Sequence, residues 1–598
     1  MSGAYVARRP AARSFARAQL RAKSLFYLFA VLALALAGRL AFLQIHDYRF
    51  LSQRARDQQL MTMRVAAERG SILDRDGNTI VRSLPAVSIY ATRREIGDPG
   101  AVARALGPLL GRSPNWILAR LAAGGDKVPI ERKIPEERGQ DVAHLNLSGI
   151  SIESEPTGVR FLPSGRLAST VIGFTGMEEN GLGGIESAYD AVLLGAAGTR
   201  AVEIDEFGRP LPFGRRYDVV APRTGRSIEL TLDSSLQYDV QRILAETVAK
   251  YRARSGTALV MDPATGDLLA VANAPDYDVA DWERSSDDAR RDRAAEDAYE
   301  PGSTFKLITA SAAIDSGKVT PSDRFAARDQ LAIGGNVIHN AEDGFLAGTG
   351  GTESLEDIVA YSHNVGAAEV GLSIGRTTLY RMIRRFGFGD STHSGLPGES
   401  PGILPALADW SATSLPTISF GHGIATTPLA MARAYCAFAN GGLLMRPRVV
   451  SAILSRSGEV VKRFPPVVER RVISRATAKL MRRFLRAVVV RGTGRGVAEV
   501  AGYTTAGKTG TAQVAENGGY LPGAYVASFI GMIPADRPRF VILVKVERPV
   551  GAIYGGVVAA PAFARIARIA MIDAGILPEL PPPAPRPARR RGTSKGRL

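Results

Sequence analysis

Tyr299-Glu300-Pro301-Gly302-Ser303-Thr304-Phe305-Lys306 is the stretch around which the 598-residue chain is organised. Pro301 and Gly302 read as a helix entry, and Leu307 to Asp315 continue with apolar residues at helical spacing. Ser303 is therefore expected at a helix N-terminus, where unpaired N–H groups and the dipole favour developing negative charge. Lys306 lies one turn on, which puts its amine on the face of the Ser303 hydroxyl. A serine hydroxyl is a poor nucleophile until a base takes its proton, and a partly buried lysine with a depressed pKa can be that base. Taken alone, S-x-x-K equally describes a surface Ser and Lys on a helix.

Two later stretches change its weight. Tyr361-Ser362-His363-Asn364 separates two apolar helical runs, which places Ser362 and Asn364 in a short turn able to point into a cleft. Gly507-Lys508-Thr509-Gly510-Thr511-Ala512-Gln513 reads as an edge strand, with Gly510 leaving room for a ligand backbone to approach. S-x-x-K, S-x-N and K-T-G in this order resemble the motif set of the penicillin-recognising serine acyl-transferases.

The net charge of +17 first suggests nucleic acid as a partner, but its location argues against that. Arg8, Arg9, Arg13, Arg17, Arg21 and Lys23 precede Leu25 without an acid among them. Arg586, Arg589, Arg590, Arg591, Lys595 and Arg597 follow Leu580, again without one. The body between is only mildly basic, and nucleic acid is not expected as a partner. Leu25 to Ile45 is apolar apart from Arg39 and Gln44, close to the ~20 residues a membrane-spanning helix needs. Its basic flank predicts a cytoplasmic N-terminus with the rest outside the cytoplasmic membrane. Arg39 sits near the outer end, where it can snorkel to the headgroups. Ala33, Ala35 and Ala37 allow a cleaved signal peptide instead; apolar sequence running past them favours an uncleaved anchor. The one cysteine, Cys436, excludes an intramolecular disulfide.

The pattern along the body predicts an α+β fold. Ser234 to Tyr251 is an amphipathic helix, Thr257–Met261 and Leu268–Ala272 form a hairpin, and Tyr525–Ile533 and Phe540–Val546 a second strand pair. Ala559 to Ala574 closes as a helix. Strands from both ends with helices between imply one antiparallel sheet flanked by helices. The expected divisions are a cytoplasmic basic tail 1–24, an anchor 25–45, an N-terminal domain 46–225, a catalytic domain 226–580, and a disordered Pro/Arg-rich tail 581–598. The six histidines show no ligand spacing, so no metal is expected, and acyl transfer through a serine activated by a lysine calls for no cofactor.

Gly502-Tyr503-Thr504-Thr505-Ala506-Gly507-Lys508-Thr509 also fits the nucleotide-binding pattern G-x-x-x-x-G-K-[ST]. That motif needs a helix after the loop to hold phosphates. Here a polar strand and the turn Glu516-Asn517-Gly518-Gly519 follow, which argues against a nucleotide hydrolase.

With these residues quoted, the chain resembles the class B penicillin-binding proteins, the membrane-anchored peptidoglycan D,D-transpeptidases. The likeness runs from the anchor to Ile572 and includes Arg69-Gly70-Ser71-Ile72-Leu73-Asp74-Arg75-Asp76-Gly77, a mark of that class's non-catalytic N-terminal domain. Arg39 to Ile45, Tyr299 to Ser303, Tyr554-Gly555-Gly556 and Ala560-Pro561 are most similar to its division-specific branch. His363 departs from that branch's usual second serine and is expected to tune polarity near the site. The resemblance implies an elongated pedestal or dimerisation-type domain and a serine β-lactamase-like catalytic domain.

The resemblance also implies roles. Ser303 attacks the penultimate D-alanine carbonyl of a stem pentapeptide on lipid II-derived glycan while Lys306 takes its proton. Backbone N–H groups of Ser303 and Thr511 form an oxyanion hole, worth roughly 3 kcal/mol per donor in other enzymes. Ser362, linked to Lys508, relays a proton to the leaving D-alanine, and Asn364 holds the substrate's amide backbone. Lys508, Thr509 and Thr511 bind the terminal carboxylate, with Gly510 between them. The acyl group then passes to an amine on a neighbouring stem. β-Lactam antibiotics would acylate Ser303 and stay. Implied partners are an FtsW-type glycosyltransferase and other division membrane proteins. An elongation-type transpeptidase, a β-lactamase or an inactive β-lactam sensor share the motifs and stay open on sequence.

Overall fold

The computed structural model of the chain describes residues 12–155, 157–205, 211, 213–341, 351–516 and 518–580. Arg8, Arg9, the turn residue Asn517 and the Pro/Arg-rich tail 581–598 therefore lie outside the described residues. The chain forms two compact units, Met1–Ala66 with Ala196–Arg223, and Ala67–Gly195 with Thr224–Leu598.

In the first unit a helix covers Ala12–Ala41 and runs through a π-helical turn at Phe42–His46 into a helix at Tyr48–Gln59. Among the described residues, one helical span, Arg17–His46, is long and apolar enough to cross a membrane. Its Leu, Phe and Val side chains stand exposed, as a lipid-facing helix requires. Past that span the chain stays helical to Gln59; Leu60–Val65 then pairs antiparallel with Gly198–Glu203.

In the second unit the R-G-x-I-x-D-R-x-G stretch is the start of a six-stranded sheet. Ile72–Leu73 pairs antiparallel with Thr79–Leu84 and parallel with Ser227–Leu230, so residues on both sides of position 225 share this sheet. Asp74 makes the turn by accepting from the backbone N–H of Asp76 and Asn78 at 3.0 and 2.8 Å. Gly70 is required by space, because a Cβ there would sit 2.0 Å from the Arg226 carbonyl oxygen. Arg69 is fully buried and donates to Glu186 Oε2 at 2.8 Å and to Asp190 Oδ1 at 2.7 Å, while Arg160 takes Glu186 Oε1 at 2.8 Å. Removing one member of a buried charge network leaves the others uncompensated. Arg69→Ala is expected to destabilise the chain by about 3–5 kcal/mol, read as a lower urea midpoint at unchanged slope. A loss below about 1 kcal/mol would show that water or Arg160 replaces it.

The catalytic-type domain is built on a five-stranded antiparallel sheet. Its strands are β1 (Ser255–Met261), β2 (Leu268–Ala274), β3 (Ala506–Glu516), β4 (Gly519–Ile533) and β5 (Phe540–Glu547), in the order β2-β1-β5-β4-β3. The sheet joins early and late parts of the chain, as the strand pattern predicts. Alternate residues face opposite sides, so both faces must be covered. Ala258, Val260, Phe529, Ile542 and Val544 meet α1 (Ser234–Lys250) and the closing helix Ala560–Asp573. Asp233 caps α1 by accepting from Ser235 and Leu236 N–H. On the other face Leu259, Val271, Ile530 and Leu543 share a core with α2 (Lys306–Asp315), α3 (Leu355–Tyr361), α4 (Asn364–Ile374), α5 (Pro428–Ala439) and α6 (Arg475–Val490). Helix α2 is the centre of that layer. Every residue from Lys306 to Ala313 is buried, the polar Lys306, Thr309 and Ser311 included, so the helix is held on every side.

Candidate active site

A single 3₁₀ turn, Gly302–Phe305, leads into α2 and carries Ser303. Between Pro301 and Ala313, Ser303 is the one residue that is not fully buried. Its hydroxyl is the point at which a sealed helix opens into a cleft of about 690 Å³. Lys306 lies beneath it, buried, with Nζ 2.9 Å from Ser303 Oγ, 2.8 Å from Asn364 Oδ1, 3.2 Å from Ser362 Oγ and 2.5 Å from the Ser362 carbonyl. Four acceptors surround a group that has three protons as an ammonium and two plus a lone pair as an amine. Burial, followed by the neighbouring Lys508 charge, pushes Lys306 well below the usual lysine range, against the opposing pull of Glu353. The neutral amine is thereby favoured, and its lone pair can take the Ser303 proton.

Ser362 ends α3 in the left-handed region at φ 67°, which costs a non-glycine residue strain but turns both its carbonyl and its hydroxyl onto Lys306. Asn364 begins α4. Its amide is engaged at both ends, by Lys306 and by the His339 carbonyl at 3.0 Å. Thus the S-x-N turn and the S-x-x-K helix meet as the motif order predicts.

Strand β3 closes the cleft from the other side as the edge of the sheet, as expected. By strand alternation Thr509, Thr511 and Gln513 line the cleft. Lys508 falls on the opposite face, fully buried, and donates to the Thr509 carbonyl at 3.1 Å and its hydroxyl at 3.3 Å. Burial brings Lys508 down to about 7. Two sequence expectations are corrected here. Lys508 has no hydrogen bond to Ser362, whose hydroxyl goes to Lys306 instead. Gly510 makes room for the protein rather than for a ligand: a Cβ there would lie 2.3 Å from Ser528 Oγ and 3.0 Å from Thr304 Cγ2. The glycine lets β3 press against the Ser303 turn. Gly302 does the same from the other side, at φ +53° with Thr511 O 3.2 Å from the Cβ it lacks.

Asn340 and Thr493 are residues of the site that the sequence reading passes over. Asn340 caps α4 across 24 residues, accepting from Asn364 and Val365 N–H at 2.8 and 3.1 Å, and no local pattern announces it. Thr493 holds Thr509 hydroxyl to hydroxyl at 2.6 Å; the glycines flanking it in Gly492-Thr493-Gly494 were the available signal. Gly555 packs on β3 and donates to Thr511 Oγ1 at 3.2 Å. His363 is buried with Nδ1 2.5 Å from Glu353 Oε2, so its polarity acts on the carboxylate that opposes the depression of Lys306. Among the described residues no group of three His, Cys, Asp or Glu could hold a metal. The nucleotide-loop reading fails on topology, because Lys508 and Thr509 lie inside a strand that runs on to Glu516 with no helix after it.

Residues 256–568 match the family described as penicillin binding protein transpeptidase domain, and residues 64–230 the penicillin-binding protein dimerisation domain. The chain is similar to the stage V sporulation protein D of Bacillus subtilis, with 33% identity over 94% of this chain and 87% of that protein. It is 32% identical to the peptidoglycan D,D-transpeptidase FtsI of Escherichia coli K12, over 90% of this chain and 89% of the relative. Among solved structures, penicillin binding protein 3 of Mycobacterium tuberculosis, complexed with aztreonam, aligns with a TM-score of 0.66 and 29% identity, over 87% of this chain and 99% of that one.

Proposed function

Since this chain belongs to the class B penicillin-binding proteins and is a peptidoglycan D,D-transpeptidase, we propose that Ser303 is its acyl-transfer nucleophile and Lys306 the base. The observation that carries this reading is the placement of one buried amine against Ser303 Oγ, Ser362 and Asn364 at once. Lys306 takes the hydroxyl proton as Ser303 attacks the penultimate D-alanine carbonyl of a stem peptide. Ser362, hydrogen-bonded to Lys306, passes the proton to the departing D-alanine. The N–H groups of Ser303 and Thr511, on segments that Gly302 and Gly510 allow to touch, stabilise the oxyanion. Thr509 and Thr511 bind the terminal carboxylate, with the buried Lys508 adding positive charge from below. Asn364 fixes Lys306 and meets the substrate amide by releasing His339. The acyl group then moves to an amine on a second stem, forming the cross-link.

A β-lactam offers the same acyl group and carboxylate, so we assign it covalent attachment at Ser303; the aztreonam-bound relative supports this. The span Arg17–His46 serves as a single-pass anchor, with the basic N-terminal flank on the cytoplasmic side and residues 226–580 outside the cytoplasmic membrane. Residues 46–225 act as the non-catalytic domain. Its work is the cross-linking of septal wall, alongside an FtsW-type glycosyltransferase and other division membrane proteins; the similarity to FtsI supports this. Depleting the chain in its own host separates the roles. Filaments without septa are the expected result, and rounded cells that still divide would assign it to elongation. Labelling by a fluorescent penicillin tests the chemistry. A stable adduct on Ser303, located by peptide mass, is expected, and a well-folded protein that takes no label would overturn the assignment.

A further inference from the structure

Glu300 stands three residues before Ser303, and its carboxylate gathers groups from two other segments of the same domain. It accepts from Gly423 N–H at 2.8 Å and from Tyr520 OH at 3.0 Å, and its Oε2 lies 3.2 Å from His422 Nδ1. Tyr520 OH also lies 3.2 Å from His422 Nδ1, and the two rings sit 5.8 Å apart. Burial, then the Glu300 charge, push the Tyr520 phenol upward, so it stays a neutral donor. With Nδ1 committed to the carboxylate side, the imidazole presents Nε2 as its other nitrogen. Nε2 makes no hydrogen bond among the described residues, and His422 lines the cleft that Ser303 opens into.

The backbone fixes the distance between the two groups. Gly302 N–H donates to the Gly421 carbonyl at 3.0 Å, and a Cβ on Gly421 would meet the Gly302 oxygen at 2.1 Å. His422 and Ser303 each follow directly on one of these touching residues. Both line the same cleft, as Ser362 and Asn364 do. A carboxylate holding one nitrogen of an imidazole that lines the cleft of the reacting centre is the arrangement of a general base. Nothing in the acylation step uses it, since Lys306 already serves Ser303.

The second half-reaction has an unmet need. The acceptor amine of a neighbouring stem arrives mainly as an ammonium near neutral pH and has no lone pair until it loses a proton. We infer that His422, held by Glu300 and Tyr520, takes that first proton from the acceptor. The inference rests on the reading of Ser303 as the acylated residue. His422 Nε2 accepts one proton from the ammonium and releases it to water. The amine nitrogen then bonds to the acyl carbon, the bond from that carbon to Ser303 Oγ breaks, and the second amine proton returns through Lys306 to Ser303 Oγ. An amide, a free serine and one solvent proton are the products. Glu300 acts as a positioning residue in this scheme.

Full-length protein with a thioester analogue of the acyl-D-alanine donor separates the two halves. Release of the thiol reports acylation, and the product divides between hydrolysis and transfer to an added primary amine. His422→Gln is expected to lower the ratio of transfer to acylation about 100-fold for a lysine-like amine. The deficit should shrink along a series of amines of falling basicity, because those already neutral need no base. Glu300→Gln should give the same trend with a smaller loss. A ratio unchanged in His422→Gln, or a deficit indifferent to amine basicity, would overturn the inference. So would a parallel fall of acylation and transfer, which is what simple loosening of the Ser303 turn produces. Failure of the wild-type protein to form an acyl-enzyme at Ser303 would instead overturn the parent reading, and this one with it.

Discussion

Ser303→Ala is expected to eliminate penicillin labelling and to lower D-alanine release from a stem pentapeptide on the order of 10⁶-fold, the scale on which serine enzymes fail when the nucleophile is lost. The side chain loses one oxygen from a half-exposed position, so packing barely changes. Binding should survive, because Thr509, Thr511 and the cleft walls stay in place. The check is a pair of measurements on one sample. Intact-protein mass after exposure to penicillin should show no adduct, while the melting temperature should match wild type. An adduct persisting in Ser303→Ala would move the nucleophile elsewhere, and Ser362 would be the next serine to replace.

Lys306→Met removes the amine and keeps an unbranched stem in a fully buried position. Acylation by penicillin is expected to fall about 10²–10⁴-fold, the usual contribution of a positioned base. Its pH dependence gives a sharper check. Only the neutral amine accepts a proton, so wild-type acylation should rise with pH through the Lys306 pKa and then level off. Burial and Lys508 lower that pKa while Glu353 raises it. Replacing Glu353 by Gln should therefore move the rising limb to lower pH, and replacing Lys508 by Met should move it to higher pH. Stopped-flow acylation across pH distinguishes these. Two limbs shifting in the same direction would show that the shifts come from repacking and not from the charges.

Much of the site is legible because its parts carry local grammar. Pro301-Gly302 announces a helix start, a lysine three residues beyond a serine shares its face, and the Gly-rich Lys508 stretch alternates as an edge strand does. Their ordered spacing suffices to assemble them even though they come from three distant segments. The two errors have one cause. The period of a strand says which residues share a face, but not which face is the cleft. Gly510 reads as space for a ligand when it belongs to the side packed on the Ser303 turn, and Lys508, on that same side, makes its hydrogen bonds to Thr509 and none to Ser362. Asn340, Thr493 and the Glu300–His422–Tyr520 group escaped for another reason: each acts through contacts 16 to 220 residues away in sequence, and no helix or strand period reaches that far.

The two buried lysines of the site also bear on how this protein can change. At neutral pH the unfolded chain holds protons that folding strips from Lys508, which titrates near 7 in place and at its ordinary 10.5 when solvated. The unfolded state binds more protons between those values, so stability climbs as pH rises from about 7 toward 10.5 and the penalty is complete below 7. An apolar residue there would carry no such burden. The folded state is thus weakest where its chemistry is strongest, and random variation filtered only for thermal robustness would drift toward sturdy, silent descendants. Retaining both amines requires continued selection on wall synthesis itself.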